Sequence, residues 1–131
     1  MDRFTRSYLE TALWSSTGDD EQPLDRDYCV EDIGKESTRQ AEKVCALFQE
    51  EAADLLAKSG LSLERQGHLF WLNRNGHGCG FWEEYKNEWG GTGPALDKLC
   101  KKYNECYPYE TGTGEVCIDD PYIWKLEEKK P

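Results

Sequence analysis

No stretch of this chain approaches the roughly 18 consecutive apolar residues that a membrane-crossing helix needs. Met1-Asp2-Arg3-Phe4-Thr5-Arg6 has no apolar run behind it, so a secretory signal is not expected. Positive charge is scarce, with 16 Lys and Arg against 26 Asp and Glu and a net charge of −10. That balance argues against gripping nucleic-acid phosphates over a broad face, and against docking on an anionic membrane. Close cysteine pairs are absent, with no C-x-x-C among 6 Cys. In a cytosolic chain such cysteines are reduced thiols or small buried hydrophobes rather than disulfides. A nucleophile elbow, a Walker loop, a Rossmann glycine pattern and H-E-x-x-H are all missing, as are internal repeats and heptads. No catalytic residue, metal ligand or cofactor is therefore assigned.

What the chain does have is core material. Of 131 residues, 37% are hydrophobic and 12% aromatic, with 5 Trp and 7 Tyr, which suits one folded domain spanning 1–131. Phe4, Tyr8, Leu9, Ala12 and Leu13 form one helical stripe, with Thr5 as a cap and Ser15-Ser16-Thr17-Gly18 as its end. Residues 18–35 read as an acidic surface loop, carrying Asp19, Asp20, Glu21, Asp25, Asp27, Glu31 and Asp32. A second helix repeats Ala41, Val44, Cys45, Phe48, Ala52, Leu55 and Leu56, with Ser37 or Thr38 to cap it and Gly60 to stop it. Ser62 caps a third, carrying Leu63, Gly67, Phe70 and Trp71. Gly93-Pro94 opens a fourth, with Leu96, Leu99, Cys100 and Tyr103 inward and an end near Cys106. Tyr107 to Ile118 then changes to strand period around Thr111-Gly112-Thr113-Gly114, a β-hairpin. Residues 125–131 read as a frayed tail. The expected fold is α+β: one helix-dominated domain of about four helices with a small C-terminal hairpin.

The segment from His68 to Trp82 concentrates both histidines with Arg74, Asn73, Asn75, Cys79, glycines and large aromatics. Four of the seven residues from Gly76 to Trp82 are Gly or His, which demands irregular backbone. His77 between glycines is sterically open, able to act as a base, a ligand or a hydrogen-bonding group. It is equally able to bond a neighbouring carbonyl in a turn stapled to the core by Phe81 and Trp82. A zinc set of Cys100, Cys106, Cys117 and His77 fits ligand spacing only loosely, since Cys100 and Cys106 are separated by five residues. Cys106 and Cys117, on opposite sides of the hairpin, are positioned to face each other. Paired with Glu83 or Glu84, His77 could serve as a general base, while Arg74 holds an anionic substrate.

His68-Leu69-Phe70-Trp71-Leu72-Asn73-Arg74-Asn75-Gly76-His77-Gly78-Cys79-Gly80-Phe81-Trp82 resembles the signature H-x-F-W-L-x-R-N-G-H-G-A-G-F-W of a family of small bacteriophage and prophage proteins. The likeness extends to Tyr8 through Thr17, to Pro23-Leu24-Asp25, to Leu96-Asp97-Lys98-Leu99 and to the Tyr107–Ile118 hairpin. It implies a phage origin, and hence the cytoplasm of an infected bacterium, but no particular reaction. Cys79 stands where the family pattern has Ala, which weighs against Cys79 as a nucleophile or obligatory ligand.

These observations lead to one functional expectation and one alternative. The first is a non-enzymatic accessory protein that binds and inhibits a host protein, such as a defence nuclease or another nucleic-acid-binding protein, its carboxylates imitating nucleic-acid charge. The binding residues expected are Asp19, Asp20, Glu21 and Asp25 on the acidic loop. Arg74, Asn75, His77, Phe81 and Trp82 are expected around the glycine-rich turn, where aromatic side chains can anchor an interface. The alternative is a small enzyme or metal-binding protein using Arg74 and His77. The acidic surface has a plainer use too, in keeping the chain dissolved.

Overall fold

The structure, a computed structural model, describes residues 1–76, 80–81 and 92–128. Among them are six α-helices: α1 (Arg3–Ser15), α2 (Lys35–Glu51), α3 (Ala53–Ser59), α4 (Leu63–Arg74), α5 (Thr92–Lys101) and α6 (Pro121–Glu128). One two-stranded antiparallel sheet joins β1 (Pro108–Glu110) to β2 (Val116–Ile118). The fold is therefore helix-dominated α+β with a small hairpin, as expected, but with more helices than the four anticipated.

Two of the additional elements have clear physical origins. The apolar repeat from Ala41 to Leu56 runs unbroken through a backbone change at Ala52 (φ −97°, ψ 10°), where α2 ends and α3 begins. Phe48, Ala52 and Leu56 stay buried on the same side, so the break leaves no mark on the hydrophobic pattern. Gly60 follows α3 in the left-handed conformation, as expected. The other addition is α6, which occupies residues 121–128 where a frayed tail was anticipated from 125. Asp120 starts it, its Oδ1 accepting the N–H groups of Tyr122 (3.2 Å) and Ile123 (3.4 Å), while Ile123 is buried.

Capping also differs in detail. Asp2, not Thr5, closes α1, its carboxylate accepting the Thr5 N–H at 2.8 Å. Ser37 lies inside α2 rather than at its start, and its Oγ accepts the Ile118 N–H at 2.8 Å, tying β2 to the helix. Gly34 precedes α2 and donates its N–H to Val116 O. Ser62 caps α4 as expected, accepting from Arg65 N. The hairpin forms with Tyr109 opposite Cys117 and Pro108 opposite Ile118. Cys106 therefore lies before β1, buried beside Tyr8, and does not face Cys117.

The core is a single apolar cluster built from all six helices, the hairpin and the two 3-10 turns, Leu24–Arg26 and Val30–Asp32. α1 and α4 pack closest. Ser7 Oγ donates to Glu64 O (2.6 Å), and Trp71 Nε1 donates to Ser15 Oγ (2.9 Å). Gly67 permits this approach, because a Cβ there would sit 2.1 Å from the Phe4 carbonyl oxygen. Backbone cannot yield like a side chain. Gly67→Ala is therefore expected to destabilise by about 1–3 kcal/mol, despite the gain of roughly 1 kcal/mol in helix propensity. A thermal melt measures it; an alanine variant as stable as the parent would mean that the helices do not cross this closely.

Candidate functional site

The Asn73-Arg74-Asn75 tripeptide closes α4, and each of its side chains ties that helix end to a different part of the chain. Asn73 Oδ1 accepts the Phe81 N–H at 2.8 Å, and its Nδ2 donates to Asp97 Oδ1 on α5 at 2.6 Å. Gly80 lets Asn73 come this near, since a Cβ there would meet Asn73 Oδ1 at 2.2 Å. Asn75 Oδ1 accepts the Cys106 N–H at 2.8 Å, while its Nδ2 donates to Trp71 O.

Arg74 is fully buried, and all five of its N–H donors are engaged within the protein. Nε donates to Asn104 O; Nη1 donates to Tyr8 Oη and Asp120 Oδ2; Nη2 donates to Tyr103 O and Asp120 Oδ1. The two carboxylate bonds are both 2.7 Å, a bidentate pair with its side chains 0% and 4% exposed. Burial opposes the guanidinium charge, but its neighbours, the bonded Asp120 carboxylate among them, hold its pKa above the ordinary arginine value. No donor remains with which Arg74 could hold an anionic substrate. Phe81 is buried among Phe48 and its neighbours, as a staple to the core would be. His77, Cys79, Trp82, Glu83 and Glu84 lie outside the described residues. The other histidine, His68, pairs its Nδ1 with Thr11 Oγ1 at 2.8 Å. Thr11 spends its own proton on Ser7 O, so His68 Nδ1–H is the donor.

The acidic loop is built from a separate set of contacts. Its neck is a short antiparallel bridge between Thr17 and Pro23, reinforced by Gly18 N–H to Gln22 O and Leu24 N–H to Ser16 O. Glu21 occupies the apex at φ 63°, a backbone region that favours glycine. Glu110 of β1 anchors the loop from below. Its Oε1 accepts the Asp19 N–H at 2.9 Å, and its Oε2 accepts the Tyr28 hydroxyl at 2.9 Å, which raises the Tyr28 pKa. Asp19, Asp20, Glu21 and Asp25 are all exposed. Arg26 pairs with Asp20 and Asp27, and Arg6 with Glu31. A bond from the Gln22 N–H, aided by Arg26, holds the Asp20 carboxyl below its usual pKa.

The structure thus buries Arg74, Asn75 and Phe81, each with partners of its own, and leaves Asp19, Asp20, Glu21 and Asp25 exposed. Sequence reasoning noted Asn73 without giving it a role, and passed over Asp120 and Glu110. Of these only Asp120 carried a local signal, an acid directly before a proline that starts a helix.

Among the described residues no group of three or more His, Cys, Asp or Glu is arranged to hold a metal ion. Cys45, Cys100 and Cys106 are buried, and burial pushes all three thiols up, Cys106 to about 11. Among the described residues no helix is long and apolar enough to cross a membrane. No protein-family model matches the chain, and neither does any curated protein or solved structure.

Proposed function

We propose that this chain is a small acidic accessory protein of phage origin that binds and inhibits a host protein through its 19–25 loop. The observation that carries the reading is the loop itself. Asp19, Asp20 and Glu21 stand exposed on a short segment closed by backbone hydrogen bonds and pinned to the hairpin by Glu110, with Asp20 held by Arg26 and Asp25 exposed in the turn just beyond. A braced loop presents charge at defined positions, whereas a loose acidic tail would not. Glu21 supports the same reading: a carboxylate stands at the apex where glycine would be conformationally cheaper. The fitting partner is a host protein with a basic face, of the kind that nucleases and other nucleic-acid-binding proteins use on phosphates. Such a partner would be captured quickly by complementary charge, and capture would weaken with salt. The chain's own net charge of −10 argues against its gripping nucleic-acid phosphates over a broad face.

The reading assigns no chemistry to the glycine-rich turn. Arg74, which the enzyme alternative needs for substrate, is fully engaged inside the protein.

Affinity capture from a bacterial lysate at low and high salt, followed by mass spectrometry, tests the proposal. Reversing Asp19, Asp20, Glu21 and Asp25 to Lys should reduce recovery of the partner about tenfold or more and flatten its salt dependence. The fold should survive, because exposed charges contribute roughly 0–1 kcal/mol each. Equal recovery by the reversed variant would remove the loop from the function.

A further inference from the structure

On the hairpin side of the molecule, α6 and the β2 end of the sheet enclose an open pocket of about 420 Å³, lined by Gln40, Asp119, Asp120, Pro121 and Trp124. Three of its groups are already committed. Gln40 Oε1 accepts the Asp120 N–H and Gln40 Nε2 donates to Glu36 Oε1, while the Asp120 carboxylate is held by Arg74. Gln40 and Asp120 therefore bring to the lining a satisfied, charge-balanced network. The lining residues left open to a visitor are Trp124, 58% exposed, and the exposed Asp119.

Asp119 has no cation of its own among the described residues, unlike Asp20, Glu31, Asp97 or Glu127, which pair with Arg26, Arg6, Lys101 and Arg39. Asp19 and Glu21 also lack one but are simply exposed, and Asp25 lines a separate pocket that Arg6 lines too. Asp119 is oriented: the Tyr109 hydroxyl donates to its Oδ2 at 3.1 Å, leaving Oδ1 unclaimed, and Tyr109 is itself 47% exposed. An aromatic plane, an apolar proline wall and one fixed, uncompensated carboxylate are complementary to a flat organic cation. A guanidinium can stack on the indole while donating to the carboxylate, whereas an ammonium can only approach as a point charge.

We infer that this pocket receives an arginine side chain presented by a protein partner. The site shares no lining residue with the 19–25 loop and stands whether or not that loop binds. Together the two surfaces would make the protein a two-point reader of basic partners, one point acting through field and the other through fit.

Titrating the full chain with the peptide Ac-Ala-Arg-Ala-NH2, and with its lysine and citrulline counterparts, tests this by ¹H–¹⁵N NMR. Saturable shifts are expected at the Trp124 indole N–H and the Asp119 amide. The citrulline peptide, equal in shape but uncharged, should bind about tenfold more weakly, and the lysine peptide should also be weaker. Asp119→Asn keeps an acceptor for Tyr109, and Trp124→Ala removes an exposed ring, so both variants should fold. Each should weaken the arginine peptide by about tenfold. Absence of saturation, shifts centred on residues 19–25, equal binding of the lysine or citrulline peptide, or indifference to Asp119→Asn would each overturn the inference. None of these results bears on lysate capture by the acidic loop, so the two readings fail separately.

Discussion

Arg74→Ala is expected to lower the stability of this protein by about 3–5 kcal/mol, because it strands the buried Asp120 carboxylate without its cation. In a domain of this size that is a melting temperature lower by roughly 10–20 °C. The loss is not confined to one ion pair. Arg74 also satisfies the carbonyls of Tyr103 and Asn104 beyond α5 and the hydroxyl of Tyr8 on α1. Asp120 in turn starts α6 and donates its own N–H to Gln40 Oε1 of α2. One guanidinium thus ties together four helices that are distant in sequence.

A double-mutant cycle makes the prediction sharper. Arg74→Met and Asp120→Asn should each be costly, and the double variant should lose clearly less than the two singles combined, since neither leaves the other charge uncompensated. Urea melts of the four proteins measure it. Additive losses would mean that the two residues act independently, against the bidentate geometry; an Arg74→Ala protein melting with the parent would mean that the network is dispensable.

This network explains which parts of the molecule its sequence revealed. Stripes such as Phe4, Tyr8, Leu9, Ala12 and Leu13 were legible because burial of one helix face imposes its own period, and those residues are buried. The hairpin was legible because strand alternation flanks a glycine-bearing turn, and both Gly112 and Gly114 have positive φ. The division of α2 from α3 was not, since the core asks the same residue types of both helices. Arg74 read as a surface group able to hold an anion, because a charged residue beside Asn and Gly ordinarily faces water. Its burial depends on Asp120, 46 residues away, a pairing that no local pattern announces. The acidic loop lay between these cases. Its charge was plain in the sequence, while the brace that shapes it comes from Glu110, 91 residues beyond Asp19.

The second large effect lies in the aromatic cluster of the core. Phe48 stacks on Phe70 with ring centroids 4.1 Å apart and planes at 10°. Around this pair stand Phe4 at 6.2 Å, Phe81 at 6.1 Å and Tyr103 edge-on at 6.1 Å from Phe48. The contacts join α2 to α1, to α4, to the residues after α5 and to the end of the glycine-rich segment. Phe48→Ala is expected to cost about 3–5 kcal/mol, from lost burial and from a cavity that such tightly interlocked rings cannot close. Phe48→Leu keeps most of the volume and should cost markedly less, about 1–2 kcal/mol, chiefly the lost ring contacts. Denaturant melts followed by far-UV and near-UV circular dichroism separate the two, with the near-UV signal of Phe48→Ala collapsing first if the core loosens before the helices melt. Equal stability of the alanine and leucine variants would mean that the cavity closes freely. Phe48 would then be one apolar filler among several rather than the ring through which α2 is packed onto the rest of the fold.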